Sequence, residues 1–166
     1  MIIRNETPAD IDAITDVTVA AFTDHPVSSQ TEHFIVHALR EAGALTLSLV
    51  AEMDGRVVGH IAYSPVEISD GATDWHGMGP VSVRPELQRQ GIGTALINES
   101  LSMLKEMGGQ GCALVGDPNY YQRFGFRNIP QLVHEGVPPE VFLVLPFSEE
   151  IPRGSVTFHE AFLATG

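Results

Sequence analysis

The spacing of apolar residues predicts two helices near the start of the chain. Thr7-Pro8-Ala9-Asp10 combines an N-cap residue, a proline at the first helical position and an acid in the first turn. Apolar residues then recur at helical spacing from Ile11 to about His25. A second start, Ser29-Gln30-Thr31-Glu32, has the form of a capping box and predicts a helix that ends near Gly43.

After the second helix the pattern becomes that of strands. Leu45 to Met53 is rich in leucine and valine, Asp54-Gly55 is a hairpin signal, and Val57 to Ile68 continues as the next strand. Trp75 to Val83 predicts a further strand. The glycines and the proline inside this strand indicate a bulge or the close approach of another group.

The remainder of the chain predicts two more helices and three more strands. They are a helix from about Gln90 to Met107, a strand Cys112–Val115, a short helix Asn119–Phe124, and closing strands Val141–Leu145 and Val156–Phe158. With a strand at the N-terminus, the order is strand, two helices, three strands, helix, strand, helix, two strands. This order predicts one α/β domain over residues 1–166, with a mixed, largely antiparallel sheet and helices on both faces.

Composition narrows the classes of function. The 166 residues carry 9 Lys plus Arg against 21 Asp plus Glu, a formal net charge of −12, which argues against a nucleic-acid binder. Lys105 is the single lysine, so the chain has no polybasic patch for a membrane surface. The single cysteine, Cys112, excludes an internal disulfide framework and a cysteine-based zinc cluster. Because no signal peptide or long apolar run occurs, we expect a cytoplasmic protein that does not enter the membrane.

The segment most informative about chemistry joins a strand to the long predicted helix. Gln88-Arg89-Gln90-Gly91-Ile92-Gly93-Thr94 follows the strand that ends at Val83. Its glycines allow backbone N–H groups to approach a ligand, and the helix N-terminus adds partial positive charge. Together these features predict a pyrophosphate cradle, to which Thr94 can add a hydroxyl and Arg84 or Arg89 a cation.

Other interpretations of these glycines fit less well. A Walker loop requires a lysine after its glycines, and none occurs here. A dinucleotide-binding fingerprint requires a third glycine three residues after the second and a direct junction with a strand. Here Leu96 occupies the position of the third glycine, and a polar hexapeptide separates Gly91 from the strand. Taken alone, the two glycines are also compatible with a purely structural role in capping and packing a helix.

A second motif resolves this choice. Gln88–Gly93, followed downstream by Asn119-Tyr120-Tyr121-Gln122-Arg123-Phe124-Gly125-Phe126, resembles the GNAT superfamily of acyl-coenzyme A-dependent N-acyltransferases. The wider pattern resembles the bacterial YhbS-type subgroup of that superfamily. The segments that carry this wider resemblance are Ser64-Pro65-Val66, Trp75-His76-Gly77-Met78-Gly79-Pro80, Gly116-Asp117-Pro118 and His159-Glu160-Ala161-Phe162.

The resemblance implies a fold and a set of site residues. The fourth and fifth strands would splay apart, and the pantetheine arm of acetyl-CoA would lie between them like an added strand. Tyr121 matches the tyrosine that protonates the departing thiolate, and a backbone N–H near Val81 would stabilise the oxyanion. The residues expected to bind acetyl-CoA are Val81, Ser82, Val83, Gln88, Arg89, Gln90, Gly91, Ile92, Gly93, Thr94 and Asn119.

The general base is the least defined element of the predicted site. Some members of the superfamily carry histidines on the fourth strand, but here the corresponding positions are Gly77 and Gly79, and His76 lies on the opposite face. His60 and Glu52 on neighbouring strands are weak candidates. No metal is expected: His33 and His37 have helical i, i+4 spacing, but no third ligand is evident.

These observations predict an N-acetyltransferase that transfers an acetyl group from acetyl-CoA to a primary amine by direct attack in a ternary complex. The alternative is a catalytically weak coenzyme A-binding sensor or interaction module. The acceptor, a small molecule or a peptide, would bind between the first two helices, around Phe22 to Gln30, and the loop after the sixth predicted strand. Net acidity favours a cationic amine. The sequence is also compatible with a homodimer.

Overall fold

The computed structural model describes residues 1–166 and contains the predicted elements in the predicted order, with one additional strand. The additional strand is the two-residue β6. In chain order the elements are β1 (Ile2–Asn5), α1 (Ile11–Phe22), α2 (Glu32–Glu41), β2 (Leu47–Met53), β3 (Arg56–Ile68), β4 (Trp75–Val83), α3 (Ile92–Glu106), β5 (Gly111–Val115), α4 (Pro118–Tyr121), β6 (Leu132–Val133), β7 (Phe142–Pro146) and β8 (Gly154–Phe158).

The first two helices begin in different ways. A 3-10 turn at Pro8–Asp10 leads into α1, and the Thr7 N–H donates to the Asp10 carboxylate at 2.7 Å, as the sequence predicts. The capping box predicted at Ser29 is wrong. Gln30 adopts a φ of +61°, which turns the chain so that the Ser28 hydroxyl, not that of Ser29, donates to the Glu32 carboxylate at 2.8 Å.

The central sheet has the strand order β1-β2-β3-β4-β5-β7. Its neighbouring strands are antiparallel except β4 and β5, which are parallel. This parallel pairing covers only Trp75–Gly77 on β4 and Gly111–Ala113 on β5. β8 pairs with the end of β3 and with β6. The predicted α/β fold, with a sheet splayed between the fourth and fifth strands, is therefore confirmed.

The two faces of the sheet are covered by different elements. α3 packs on one face, where its apolar side chains join those of β2 to β5 in the largest buried cluster. α1 and α2 cover the other face at β2 and β3, through Val50 and Val57. Towards β5 and β7 this second face is covered by residues of β6 and β8. The second cluster contains Trp75, Ala113, Phe142, Val144 and Val156.

β4 contains the bulge that its glycines and proline predict. Its pairing with β3 changes register between Met78 and Val81, so that Gly79 and Pro80 together oppose Ala62. Gly79 has a φ of +137°, and a Cβ built on it would meet no atom within 4 Å. The bulge therefore lies beside open space, at the level where β4 and β5 separate.

Candidate active site

The main feature of the site is the opening between β4 and β5 beyond Gly77 and Ala113, here called the β4–β5 gap. The Arg84 N–H donates to the Val58 carbonyl at 2.9 Å, on the β3 side of β4. Because backbone groups of successive strand residues point to opposite edges, the N–H and C=O groups of Val83 and Val81 are directed into the gap. β4 thus presents an unpaired strand edge there.

Ser82 lies between these two valines and has the opposite orientation. Its backbone groups are directed at β3, where it pairs with His60, and its buried hydroxyl has no hydrogen-bond partner. The Val83 carbonyl accepts a hydrogen bond from the Gln88 side-chain amide at 3.1 Å. Gln88 therefore reaches from the loop to the strand edge that faces the gap.

The N-terminus of α3 lies beyond the Val83 end of β4. Gly91 is the N-cap, with a φ of +87°, and its carbonyl accepts the first helical hydrogen bond, from the Ala95 N–H at 3.0 Å. The N–H groups of Ile92, Gly93 and Thr94 consequently have no partner within the helix. A Cβ on Gly91 would meet no atom within 4 Å, so these donors lie beside an open backbone surface that can bind an anion.

Tyr120 lies next to these free donors, and three arginines occur on the adjoining segments of the chain. A Cβ on Gly93 would lie 3.3 Å from the Tyr120 hydroxyl oxygen. The Arg123 guanidinium lies over the Tyr120 ring, 4.6 Å from its centre. Arg84 has a buried Nε without a hydrogen-bond partner, and Arg89, exposed in the loop, adopts a φ of +64°. The site thus combines backbone donors with side-chain cations in an otherwise acidic protein.

Tyr121 lies at the end of α4, next to the end of β5. A Cβ on Gly116 would lie 2.6 Å from the Tyr121 ring, which also packs edge-on against Tyr120 at 4.9 Å. Burial raises the pKa of Tyr121 to about 12, so the phenol is protonated at neutral pH. Its hydroxyl makes no hydrogen bond within the chain. Asn119, two residues earlier, donates its N–H to Asp117 and has an exposed side chain.

His60 is part of a buried polar chain on the face covered by α1 and α2. Its Nε2 lies 2.8 Å from the Ser48 hydroxyl, which donates to the Glu6 carboxylate. Glu6 also accepts from Arg40 at 2.9 Å. Burial lowers the pKa of His60 to about 4, so the ring is neutral at pH 7. It is fully buried and has no open path to an acceptor amine.

The other candidates for a base lie elsewhere. Glu52 accepts from Arg4 at 3.2 Å on β2, two strands away from β4. His76 shares the α3 side of β4 with Met78, and burial lowers its pKa. A Cβ on Gly77 would lie 2.8 Å from the Phe158 ring, so this position has no room for a side chain. Neither Glu52 nor His60 is brought to the β4–β5 gap.

The remaining histidine pair and the cysteine occupy ordinary structural positions. The His37 Nε2 lies 2.8 Å from the Thr15 hydroxyl, and His33 packs on Phe34 with the ring centres 3.9 Å apart. No group of three potential metal ligands occurs in the structure. Burial raises the pKa of the Cys112 thiol. As a protonated thiol in the main core, Cys112 acts as a small apolar residue.

Comparison with known proteins identifies the family. Residues 11–126 match the sequence model of the acetyltransferase (GNAT) family. The chain belongs to the GNAT acetyltransferase family. It is 40% identical over 128 residues to YhbS of Escherichia coli K12, an uncharacterized N-acetyltransferase, in an alignment that covers 76% of this chain and 74% of YhbS. The resemblance drawn from the two motifs is therefore confirmed.

Two solved structures of GNAT proteins are similar over almost their whole length. A GNAT acetyltransferase of Brucella melitensis in complex with acetyl-CoA has a TM-score of 0.87 and 48% identity, with 97% of each chain covered. E. coli YhbS in complex with CoA has a TM-score of 0.90 and 34% identity, covering 99% of this chain and 93% of YhbS. As for membranes, no helix of the GNAT chain has the length and apolar character to span one.

Proposed function

We propose that this GNAT protein transfers the acetyl group of acetyl-CoA to a primary amine by direct attack in a ternary complex. The observation that carries the proposal is the unpaired edge of β4 at the β4–β5 gap, continued by the free N–H groups at the start of α3. An extended chain of amides can pair with the backbone groups of Val81 and Val83. The N–H groups of Ile92, Gly93 and Thr94 can then bind its pyrophosphate.

The known structures support this assignment of the ligand. The similar B. melitensis protein was crystallised with acetyl-CoA and E. coli YhbS with CoA. In this chain the residues that would receive such a ligand have room for it, because Gly79 and Gly91 both lie beside open space. Gln88 would release the Val83 carbonyl when the pantetheine arm pairs with that carbonyl.

The chemistry requires few groups from the protein. Bound acetyl-CoA supplies an activated acetyl thioester. The amine nitrogen forms a bond to the acetyl carbon and loses one proton, and the bond from that carbon to sulfur breaks. A backbone N–H at Val81 stabilises the negative charge on the acetyl oxygen. Tyr121, whose phenol is protonated at neutral pH, donates its proton to the departing thiolate.

The direct test of the proposal measures binding and turnover separately. Calorimetry measures the affinity for acetyl-CoA, and thiol release is followed with a panel of amines: a polyamine, an aminoglycoside and a peptide with a free N-terminus. The proposal requires micromolar to millimolar binding and amine-dependent release of CoA with at least one of them. Binding without turnover of any amine would favour the alternative, a coenzyme A-binding sensor.

Tyr121→Phe tests the proposed acid. It removes one hydroxyl from a ring whose packing is retained, so the affinity for acetyl-CoA and the melting temperature should remain close to those of the wild type. The single-turnover rate should fall by about 10²–10⁴-fold, which corresponds to about 3–5 kcal/mol. Single turnover is the fairer measurement, because product release can limit kcat.

Tyr120→Phe is the matched control. It removes a hydroxyl next to Gly93 and is expected to alter the affinity for acetyl-CoA more than the rate of the chemical step. If Tyr121→Phe retains the single-turnover rate within a factor of about three, a change below roughly 0.7 kcal/mol, Tyr121 is not the acid and solvent protonates the thiolate.

A further inference from the structure

An aromatic cluster lies on the face that carries α1 and α2, at the level where the β4–β5 gap begins. The His134 ring, directly after β6, contacts the rings of Phe158 and Phe142, with centres 4.8 Å and 5.6 Å apart. Phe158 occupies the space in which a side chain at Gly77 would lie. Phe142 is the cross-strand partner of Val115, the last residue of β5. His134 therefore bridges a ring on the β4 side of the gap and a ring on the β5 side.

The hydrogen bonding of His134 determines its tautomer. Its Nδ1 lies 2.8 Å from the backbone carbonyl oxygen of Val156, which can only accept. Nδ1 therefore carries the proton, and in the neutral ring Nε2 holds a free lone pair. Nε2 makes no hydrogen bond within the chain and is not among the buried unpartnered atoms. The protein thus fixes the orientation of the ring through one nitrogen and leaves the other as a proton acceptor.

The surroundings of His134 are open on one side and apolar on the others. Val115 is 46% exposed on the same face of the sheet, and Gly79 lies beside open space across the gap. No acidic or basic residue occurs on β5, β7 or β8, the strands whose residues surround the ring. Glu135 follows His134 directly in the chain, and His159 directly follows Phe158. An amine that reaches the gap from this face therefore meets no carboxylate on these strands.

We propose that His134 is the general base of the reaction. This assignment rests on the acetyl transfer proposed above. As the C–N bond forms, Nε2 takes a proton from the acceptor amine, while the C–S bond breaks and Tyr121 on the α3 side of the gap protonates the sulfur. The products are an N-acetyl amide and CoA. The imidazolium then releases its proton to solvent, and the tyrosinate takes one from solvent. Both side chains thus return to their starting protonation states.

The first test does not depend on turnover. Diethyl pyrocarbonate carbethoxylates accessible neutral imidazole nitrogens, and the modified histidines are quantified by mass spectrometry with and without acetyl-CoA. We expect His134 to react in the free protein and acetyl-CoA to slow this reaction at least fivefold. His37, exposed on α2 and away from the gap, should react at the same rate in both samples. Modification of His134 that acetyl-CoA does not slow would overturn the assignment.

The second test is His134→Asn, in which the side-chain amide can still donate to the Val156 carbonyl while the basic nitrogen is lost. We expect kcat to fall by about 10²–10⁴-fold with the KM for acetyl-CoA within a factor of two. The decline of kcat/KM in acid that a histidine base causes should also disappear. His37→Asn is the matched control and should retain wild-type kinetics.

The outcomes separate this assignment from the proposed function. Wild-type kcat or an unchanged acid limb in folded His134→Asn would exclude His134 as the base and leave the acetyltransferase activity standing. Rescue of His134→Asn by added imidazole would support the assignment. If the wild-type protein binds acetyl-CoA but acetylates none of the panel amines, the proposed function fails. The carbethoxylation experiment then still reports whether Nε2 faces the gap.

Discussion

His60 should make the fold sensitive to mild acid. The ring is fully buried beside Ser48 and Ser82, and its Nδ1 has no hydrogen-bond partner. Burial disfavours the imidazolium and lowers the pKa from the ordinary 6.5 to about 4. In the unfolded chain the same ring titrates near its ordinary value. Between these two values the unfolded state binds a proton that the folded state does not.

The sign and the size of the effect follow from this difference. Because the unfolded state binds more protons, the free energy of unfolding falls as the pH falls from about 6.5 to about 4. For one group with these two pKa values the loss is about 2 kcal/mol between pH 7.5 and pH 5.0, and about 3 kcal/mol once both states are protonated. Glu6 and Asp10, whose pKa values their arginine partners lower below the ordinary range, contribute only in more acid solution.

Urea unfolding at pH 7.5 and 5.0 measures the effect. His60→Gln removes the titration while its amide can still donate to Ser48, so the variant should lose most of the 2 kcal/mol difference between the two pH values. His76→Gln is the control: it removes another histidine with a lowered pKa but keeps His60, so most of the difference should remain. A wild-type difference below about 0.5 kcal/mol, or equal differences in wild type and His60→Gln, would refute this account of His60.

Two glycine substitutions test the geometry around the β4–β5 gap. Gly77→Ala places a Cβ 2.8 Å from the Phe158 ring and should lower the free energy of unfolding in urea by about 1–3 kcal/mol; unchanged stability would show that the ring moves freely. Gly93→Val brings a branched side chain to the Tyr120 hydroxyl and over the free N–H groups of α3, and should weaken acetyl-CoA at least tenfold by calorimetry in a folded protein. Unchanged affinity would place the pyrophosphate elsewhere. Gly91 is less suited to this test, because its φ of +87° strains any other residue.

The order of the elements could be predicted because each long element has a clear local signal. Strand periodicity, the Asp54-Gly55 turn and the glycines at both ends of α3 are properties of neighbouring residues. The turn residues adopt φ values of +52° and +74°, as a two-residue hairpin requires. The bulge in β4 was also predictable, since Gly79-Pro80 interrupts a strand. These features need no information about the tertiary fold.

β6 and the role of Ser28 could not be predicted in this way. A strand of two residues shows no periodicity, and β6 exists because β8 lies beside it. The Glu32 carboxylate binds Ser28 because Gln30 turns the chain, which the residue types alone do not indicate. Because the sequence does not predict β6, it does not single out His134 either. The environment of this histidine is formed by Phe142 and Phe158, which lie in distant parts of the sequence.

The candidate site likewise contains residues with a local sequence signal and residues whose position depends on the tertiary fold. The backbone donors at α3 and the tyrosine after β5 have motif signals; the structure places the donors beyond the Val83 end of β4 and the tyrosine beside Gly116, next to the end of β5. The base has none, because its identity depends on which side chains face the gap once the sheet has formed. His60 lies on β3, next to β4, but it is fully buried, and Glu52 lies on β2, two strands from β4, where it pairs with Arg4.

The brief pairing of β4 with β5 also bears on the exposure of strand edges to other molecules. Unpaired strand edges ordinarily attract strands of other chains and are a common origin of aggregation. Here the unpaired edge of β4 beyond Gly77 lies in the interior of the sheet, opposite the end of β5, while the outer strands of the sheet, β1 and β7, are only four and five residues long. A foreign strand would have to enter between two parts of one folded chain in order to pair there. The unpaired edge of β4 is thus available to a ligand that enters the gap, but it is poorly accessible to the strands of other protein molecules.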